Sequence, residues 1–224
     1  MKWGINMVNN SEISKMTSSQ KKNTVIKDYN DIAKLYSDEF FGTNAHEKYI
    51  DNFLKLLKGK KMLDVGCGNG TDCKYIKSKG FDINGIDLSY NMLEIAKDRV
   101  PNVKFEIMDM TKMNYSNNIY DGIISNCSLF HIPDEEVLLT LNEFNRVLKE
   151  DGKILIIVQE GKGEEMVDEP YRPGIKVYMN FFSEKYIIDL LKESKFEIIS
   201  IDKKNCYSEN ELGETELVII ASKL

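Results

Sequence analysis

Chemistry-bearing residues in this chain gather where apolar runs end. Met62-Leu63-Asp64-Val65 leads directly into Gly66-Cys67-Gly68-Asn69-Gly70-Thr71, an apolar strand turning through glycines into a helix. Glycines there let the backbone bend tightly and let a ligand approach peptide groups that a Cβ would block. The spacing is GxGxG; the dinucleotide fingerprint GxGxxG requires its third glycine at position 71, which is Thr. Asp64 sits inside the strand, where an apolar side chain is preferred. It can accept from loop amides and so brace the glycine turn, accept through water from a ligand ammonium, or do both. A second apolar run ends in Asp87, 19 residues after Gly68, the place from which a carboxylate accepts both hydroxyls of a ribose. Asp87 could instead cap the next helix, a task that Ser89 serves equally well. A third run ends in Met108-Asp109-Met110. Its carboxylate can accept an adenine exocyclic amine, while Leu88, Met92 and Met110 can pack against the ring. The pattern marks an adenosine-type ligand.

Positioning those residues requires short strands alternating with helices. Strands are expected at Met62–Val65, Asp82–Ile86, Val103–Ile107, Tyr120–Ser125, Lys153–Val158, Phe196–Lys203 and Glu214–Ala221, with helices near Thr71–Ser78, Tyr90–Arg99, Glu135–Leu148 and Ser183–Glu193. This is the signature of βαβ units on a parallel sheet. Before it, Val25, Tyr29, Ile32, Leu35 and Tyr36 recur at helical steps over Thr24–Phe41, and a further helix is expected around Ala45–Leu57. Residues 24–58 thus read as a helical cap, and residues 1–22 as a polar arm, mobile or ordered on contact. The Gly/Glu-rich connection 160–182 follows the fifth strand and reads as a long loop. At the carboxyl end of such a sheet it is expected to act as a substrate lid.

Composition narrows the class. The 224 residues carry 30 Lys+Arg and 36 Asp+Glu, a formal net charge of -6, so no nucleic-acid partner is expected. Cys67, Cys73, Cys127 and Cys206 form no CxxC pair, and His46 and His131 lie far apart in sequence. That spacing argues against a zinc site and for reduced thiols. No stretch approaches the ~18 apolar residues that span a bilayer, so the chain reads as cytoplasmic with no membrane partner.

The segments LDVGCGNGT, GIDLS, MDM and YDGIISNCSLFHIPD together resemble the class I S-adenosylmethionine-dependent methyltransferases, small-molecule type, from about Tyr29 to the C-terminus, so that residues 23–224 would form the methyltransferase domain. The resemblance implies an α/β, Rossmann-like fold: a seven-stranded, mostly parallel sheet with an antiparallel last strand and helices on both faces. It implies that Gly66 and Gly68 line the methionine end of S-adenosylmethionine, that Asp87 holds the ribose, and that Asp109 and Met110 hold the adenine. Asn126 would lie beside the methyl group. Tyr29 and Tyr36 would belong to the N-terminal cap, although helical aromatics at this spacing are also core residues. The Asn/Asp-Pro-Pro-Tyr/Phe motif of amino methyltransferases is replaced by Ser125-Asn126-Cys127-Ser128, which points away from a nucleobase target and toward a small-molecule methyl acceptor.

Methyl transfer from a sulfonium needs alignment and exclusion of water more than a strong base. If the acceptor must lose a proton, His131 is the available general base; its alternative is packing at the start of a helix. Tyr29, Glu160, Tyr171, Arg172 and Tyr178 are expected to meet the substrate, Arg172 being equally readable as an exposed loop charge. Two other functions stay open, a nicotinamide-dependent oxidoreductase and a non-catalytic adenosyl-ligand binding protein. A monomer or homodimer is expected.

Overall fold

Apolar runs rich in Ile, Leu and Val, buried on both sides, make a parallel sheet that helices must cover on both faces. The computed structural model describes residues 13–43, 45–169, 172, 174–205 and 215–224. Its strands are β1 (Lys61–Val65), β2 (Asp82–Asp87), β3 (Lys104–Ile107), β4 (Tyr120–Asn126), β5 (Leu148–Gln159), β6 (Gly163–Asp168), β7 (Lys176–Phe181), β8 (Phe196–Asn205) and β9 (Thr215–Lys223). Its α-helices are α1 (Ser18–Phe40), α2 (Glu47–Lys55), α3 (Thr71–Ser78), α4 (Tyr90–Arg99), α5 (Asp134–Val147) and α6 (Glu184–Glu193).

Seven strands form one sheet in the order β3-β2-β1-β4-β5-β9-β8. From β3 to β5 all neighbours run parallel, whereas β9 is antiparallel to both β5 and β8. The expected mostly parallel sheet with an antiparallel last strand is therefore the observed one. Side chains alternate across it. Ile154, Ile156 and Val158 pack with Val137 and Phe144 of α5 and Leu191 of α6. Leu155 and Ile157 face the other way, onto Phe53 of α2, Ile76 of α3 and Leu93 of α4. Ser89 and Ser183 cap α4 and α6, each accepting the amide three residues on.

Two expectations are corrected. The helix placed at Thr24 starts at Ser18, because Thr17 and Gln20 form a capping box. Residues 18–22 are thus part of α1, and Lys21 is buried against Glu164 (2.8 Å) and Glu135 (3.2 Å). The connection 160–182 is not a loop but carries the antiparallel ribbon β6–β7, paired from Gly163↔Phe181 to Asp168↔Lys176. Val25 of α1 packs on Val177 and Tyr178 of this ribbon, so helix and ribbon support each other. No described helix is long and apolar enough to cross a membrane.

Candidate active site

The parallel strands end on one edge of the sheet, and a cavity of about 480 Å³ opens there. At its floor the glycine turn is fixed by sterics and hydrogen bonds. Gly66 has φ +74°, and a Cβ on it would meet the Ser128 Cβ at 2.3 Å; only glycine fits. Ser128 Oγ donates to the Val65 carbonyl (2.6 Å), tying the turn after β4 to the end of β1, and the Gly66 and Cys67 amides donate to the Ile86 carbonyl, tying the glycine turn to β2. Gly68, at φ +50°, has nothing within 4 Å of a built Cβ, so its peptide faces open cavity. Asp87 ends β2 with one oxygen accepting the Gly68 amide and the other the Ser89 amide, each at 2.8 Å. Its enclosed position raises its carboxyl above the usual range despite those bonds.

Charge and unpartnered polar atoms give the cavity its chemistry. Asp64 is buried, takes the Cys73 thiol proton at 3.3 Å, and titrates well above the usual range, first through burial and then through the nearby Asp72. Asn126 donates to Asp72 (2.8 Å), leaving its buried Oδ1 without a partner; the buried Nδ2 of Asn69 is likewise unpartnered. Both residues line the cavity, and buried polar atoms in a folded chain normally find partners. Leu88, Met92, Met108 and Met110 supply an apolar wall at the β2 and β3 ends.

Across the cavity, α1 contributes Val25, Ile26, Tyr29, Tyr36 and Phe40. His131, in a single 3-10 turn after β4, is held from both sides. Its Nδ1 lies 3.1 Å from the Tyr178 carbonyl and its Nε2 lies 3.1 Å from the Tyr29 hydroxyl. A carbonyl only accepts, so Nδ1 carries the proton and Nε2 accepts from Tyr29. Burial pushes the imidazole down to about 4 and the Tyr29 hydroxyl well above its ordinary value. The pair is neutral at physiological pH.

Antiparallel β9 starts where the parallel strands end. Register pairs Gln159 with Glu216 and Glu216 with Lys204, placing all three side by side. His46, just before α2, reaches Glu216 at 2.8 Å.

Residues 62–152 match the methyltransferase domain family. The chain is 37% identical over 131 residues to phosphoethanolamine N-methyltransferase 3 of Arabidopsis thaliana, covering 55% of this chain and 26% of that protein. It is 31% identical over 211 residues to phosphoethanolamine N-methyltransferase 1 of Triticum aestivum, covering 88% of this chain and 41% of the relative. The chain thus spans less than half the length of these curated relatives. A solved Burkholderia thailandensis 1,6-didemethyltoxoflavin-N1-methyltransferase, with 1,6-didemethyltoxoflavin and S-adenosylhomocysteine bound, superimposes with a TM-score of 0.72 at 18% identity, covering 93% and 91% of the two chains. Residues 62–152 therefore form a methyltransferase domain of the class I S-adenosylmethionine-dependent kind.

Within this cavity the structure assembles most of the residues singled out from sequence. Tyr29, Tyr36, Asp64, Gly66, Gly68, Asp87, Leu88, Met92, Met110, Asn126 and His131 all line it. Asp109 does not. Its carboxylate accepts the Thr111 amide and hydroxyl and pairs with Lys22 at 2.9 Å, so the turn after β3 consumes it. Glu160 points away because strand side chains alternate; Gln159 takes the cavity position and Glu160 pairs with Lys203. Arg172 is bound to Asp28 (3.2 Å) and Asp31 (2.8 Å) of α1. The Tyr178 ring is buried with its hydroxyl on Glu164, and it reaches the site only through its carbonyl. Tyr171 lies outside the described residues. Sequence reasoning missed Asn69, Asp72, His46, Gln159 and Glu216. The first two lie within the glycine segment and the helix it opens, a visible signal; the others carry no local motif.

Proposed function

We propose that this chain transfers the methyl group of S-adenosylmethionine to a small acceptor whose nucleophile, an amine or a hydroxyl, must shed a proton. One observation carries the reading: a single cavity joins the glycine turn and Asp87 to the Tyr29–His131 pair. The residues present fit the cofactor. Asp87 would hold the ribose, Gly66 and Gly68 would leave room for the methionine end, and the methionine and leucine wall would suit adenine. Asp64 and Asp72 suit an ammonium, and the unpartnered amides of Asn69 and Asn126 suit polar ligand atoms. S-adenosylmethionine, when bound, supplies a methyl already activated by its sulfonium.

The chain's own residues then align the acceptor and move one proton. With Nδ1–H fixed on the Tyr178 carbonyl, His131 presents an unprotonated Nε2 to Tyr29. The Tyr29 oxygen keeps lone pairs toward the cavity, so it can take the acceptor's proton while passing its own to Nε2. The α1 helix covers one side of the site and is itself backed by the β6–β7 ribbon, which limits the access of water. The plant relatives, phosphoethanolamine N-methyltransferases, favour a nitrogen acceptor. In the same reading the chain works in the cytoplasm as a monomer or homodimer, without nucleic acid.

The test is calorimetric titration with S-adenosylmethionine, S-adenosylhomocysteine and NAD, followed by a panel of small amines and hydroxyl compounds scored by release of S-adenosylhomocysteine. Binding of both adenosyl ligands, silence from NAD and turnover of at least one acceptor is the expected result. Silence from both adenosyl ligands in folded protein would overturn the reading.

A further inference from the structure

One cluster in the cavity wall is not used by the methyl-transfer machinery. His46, Cys127 and Glu216 come from three distant parts of the chain, yet one nitrogen, one sulfur and one oxygen among them lie within 4.8 Å of one another. His46 Nε2 is 2.8 Å from Glu216 Oε2, and Cys127 Sγ is 3.5 Å from Glu216 Oε1. His46 and Glu216 are buried, Cys127 is half-buried, and all three line the cavity. Spacing in the sequence argued against a metal site; the fold supplies by topology what no motif advertises.

An ion-paired cluster that merely ties α2 to β9 explains part of this. Burial opposes ionisation of Glu216, but His46 and Lys204 hold its carboxyl down at about 2. Lys204 is the cross-strand register partner of Glu216, 2.8 Å away, an ordinary opposite-charge pair of a β-ladder. Neither fact accounts for Cys127. It is a non-glycine residue at φ +53°, pinned there by donation of its amide to the Ile157 carbonyl at 3.1 Å. That backbone region costs a β-carbon-bearing residue energy and collects at functional sites. Here it turns a thiol toward a carboxylate and an imidazole.

We propose that His46, Cys127 and Glu216 form a three-ligand site for a borderline divalent metal ion of the zinc type, its remaining position open to the cavity. Sulfur, imidazole nitrogen and a single carboxylate are the donors of such sites, and they disfavour magnesium and calcium. With metal–nitrogen and metal–oxygen bonds of ~2.0 Å a tetrahedral edge is ~3.3 Å, so the His46–Glu216 contact has to open by only about half an ångström. Lys204 then remains behind Glu216 as the hydrogen-bond donor that ligating carboxylates commonly keep. Binding releases the thiol proton of Cys127 to solvent and displaces the Nε2 proton by which His46 bonds Glu216, to Nδ1 or to solvent. The open position takes a lone-pair or anionic group of the acceptor. That last role rests on the methyl-transfer reading; metal binding itself does not.

The experiment is titration of the reduced full-length chain with Co²⁺ and then Zn²⁺, with S-adenosylhomocysteine affinity measured on every sample. One equivalent of Co²⁺ should bind with a thiolate charge-transfer band, and Zn²⁺ should displace it. In Cys127→Ser the band should vanish, and in Cys127→Ser and His46→Ala affinity should fall at least tenfold. Retained S-adenosylhomocysteine binding shows that each variant is folded. Absence of stoichiometric uptake, or a thiolate band that survives in Cys127→Ser, overturns the site. Metal uptake without adenosyl binding would instead sink the methyl-transfer reading and leave the metal site standing.

Discussion

The two ends of the cavity are built on different principles. At the nucleotide end, residues close together in sequence do the work: Gly66, Gly68, Asn69 and Asp72 lie in one strand-turn-helix passage, and Asp87 and Leu88 close the next strand. At the acceptor end the wall comes from α1, the residue before α2, the turn after β4, and the facing ends of β5 and β9. The first end is a local backbone geometry, and the second is a consequence of topology. Damage to the first should therefore spread through the fold, whereas damage to the second should stay in the chemistry.

The severest break is Gly66→Ala. Its Cβ would lie 2.3 Å from that of Ser128 at φ +74°. Strain and overpacking together should cost about 4 kcal/mol. Thermal unfolding should show a large loss and adenosyl binding should disappear. A stable, fully binding variant would mean that the turn is not the rigid floor described above.

Acid separates the ends by sign. The His131 imidazole is pushed from 6.5 down to about 4 by burial. The unfolded chain then binds the proton first, so the stability it contributes is complete above pH 6.5 and is lost as pH falls toward 4. That loss is about 3 kcal/mol at most. Glu216, held at about 2, keeps its contribution above 4.5 and loses it only as pH falls toward 2. Asp64 and Asp87 are raised instead, so acidification favours their folded forms. Because Asp64 and Asp87 work in the opposite sense in both proteins, the test is the difference: across pH 4 to 7 in urea unfolding, the native chain should lose stability relative to His131→Gln as pH falls.

Asp87→Ala probes the nucleotide end more gently. It removes the carboxylate that accepts the Gly68 and Ser89 amides, and a charge-assisted contact is worth about 2 kcal/mol. Affinity for S-adenosylhomocysteine should fall about 30-fold while the secondary structure measured by circular dichroism persists. Unchanged affinity would remove the ribose assignment.

The same division decides what could be read before the fold was known. Strand-end acids, the glycine turn, the seven-strand count and the caps at Ser89 and Ser183 are local or periodic signals, and each is legible. The β6–β7 ribbon was hidden because Val177, Tyr178, Met179 and Asn180 are all buried, which erases the two-residue period, and because Gly163, Glu164 and Glu165 read as loop. Lys21 looked like part of a solvated arm because Glu164, which neutralises it, is 143 residues away. Asp109 was misplaced for a related reason. A third strand-end acid fits the adenine pattern, but sequence does not show that Lys22 and Thr111 take its oxygens.

The finest test of the comparison uses two adjacent residues where β5 ends, Gln159 and Glu160. Gln159 is buried in the cavity wall beside Glu216, whereas Glu160 lies across the pleat and pairs with the half-exposed Lys203. An exposed pair of this kind contributes about 0.2–1 kcal/mol. Glu160→Gln should therefore shift the melting temperature by at most a few degrees and leave both adenosyl affinity and acceptor KM unchanged. Gln159→Ala removes a cavity-lining amide and should raise the acceptor KM without altering S-adenosylhomocysteine affinity. If Glu160→Gln instead changes KM, the acceptor reaches past the strand end, and the wall assigned to β5 and β9 is only the near side of a larger site.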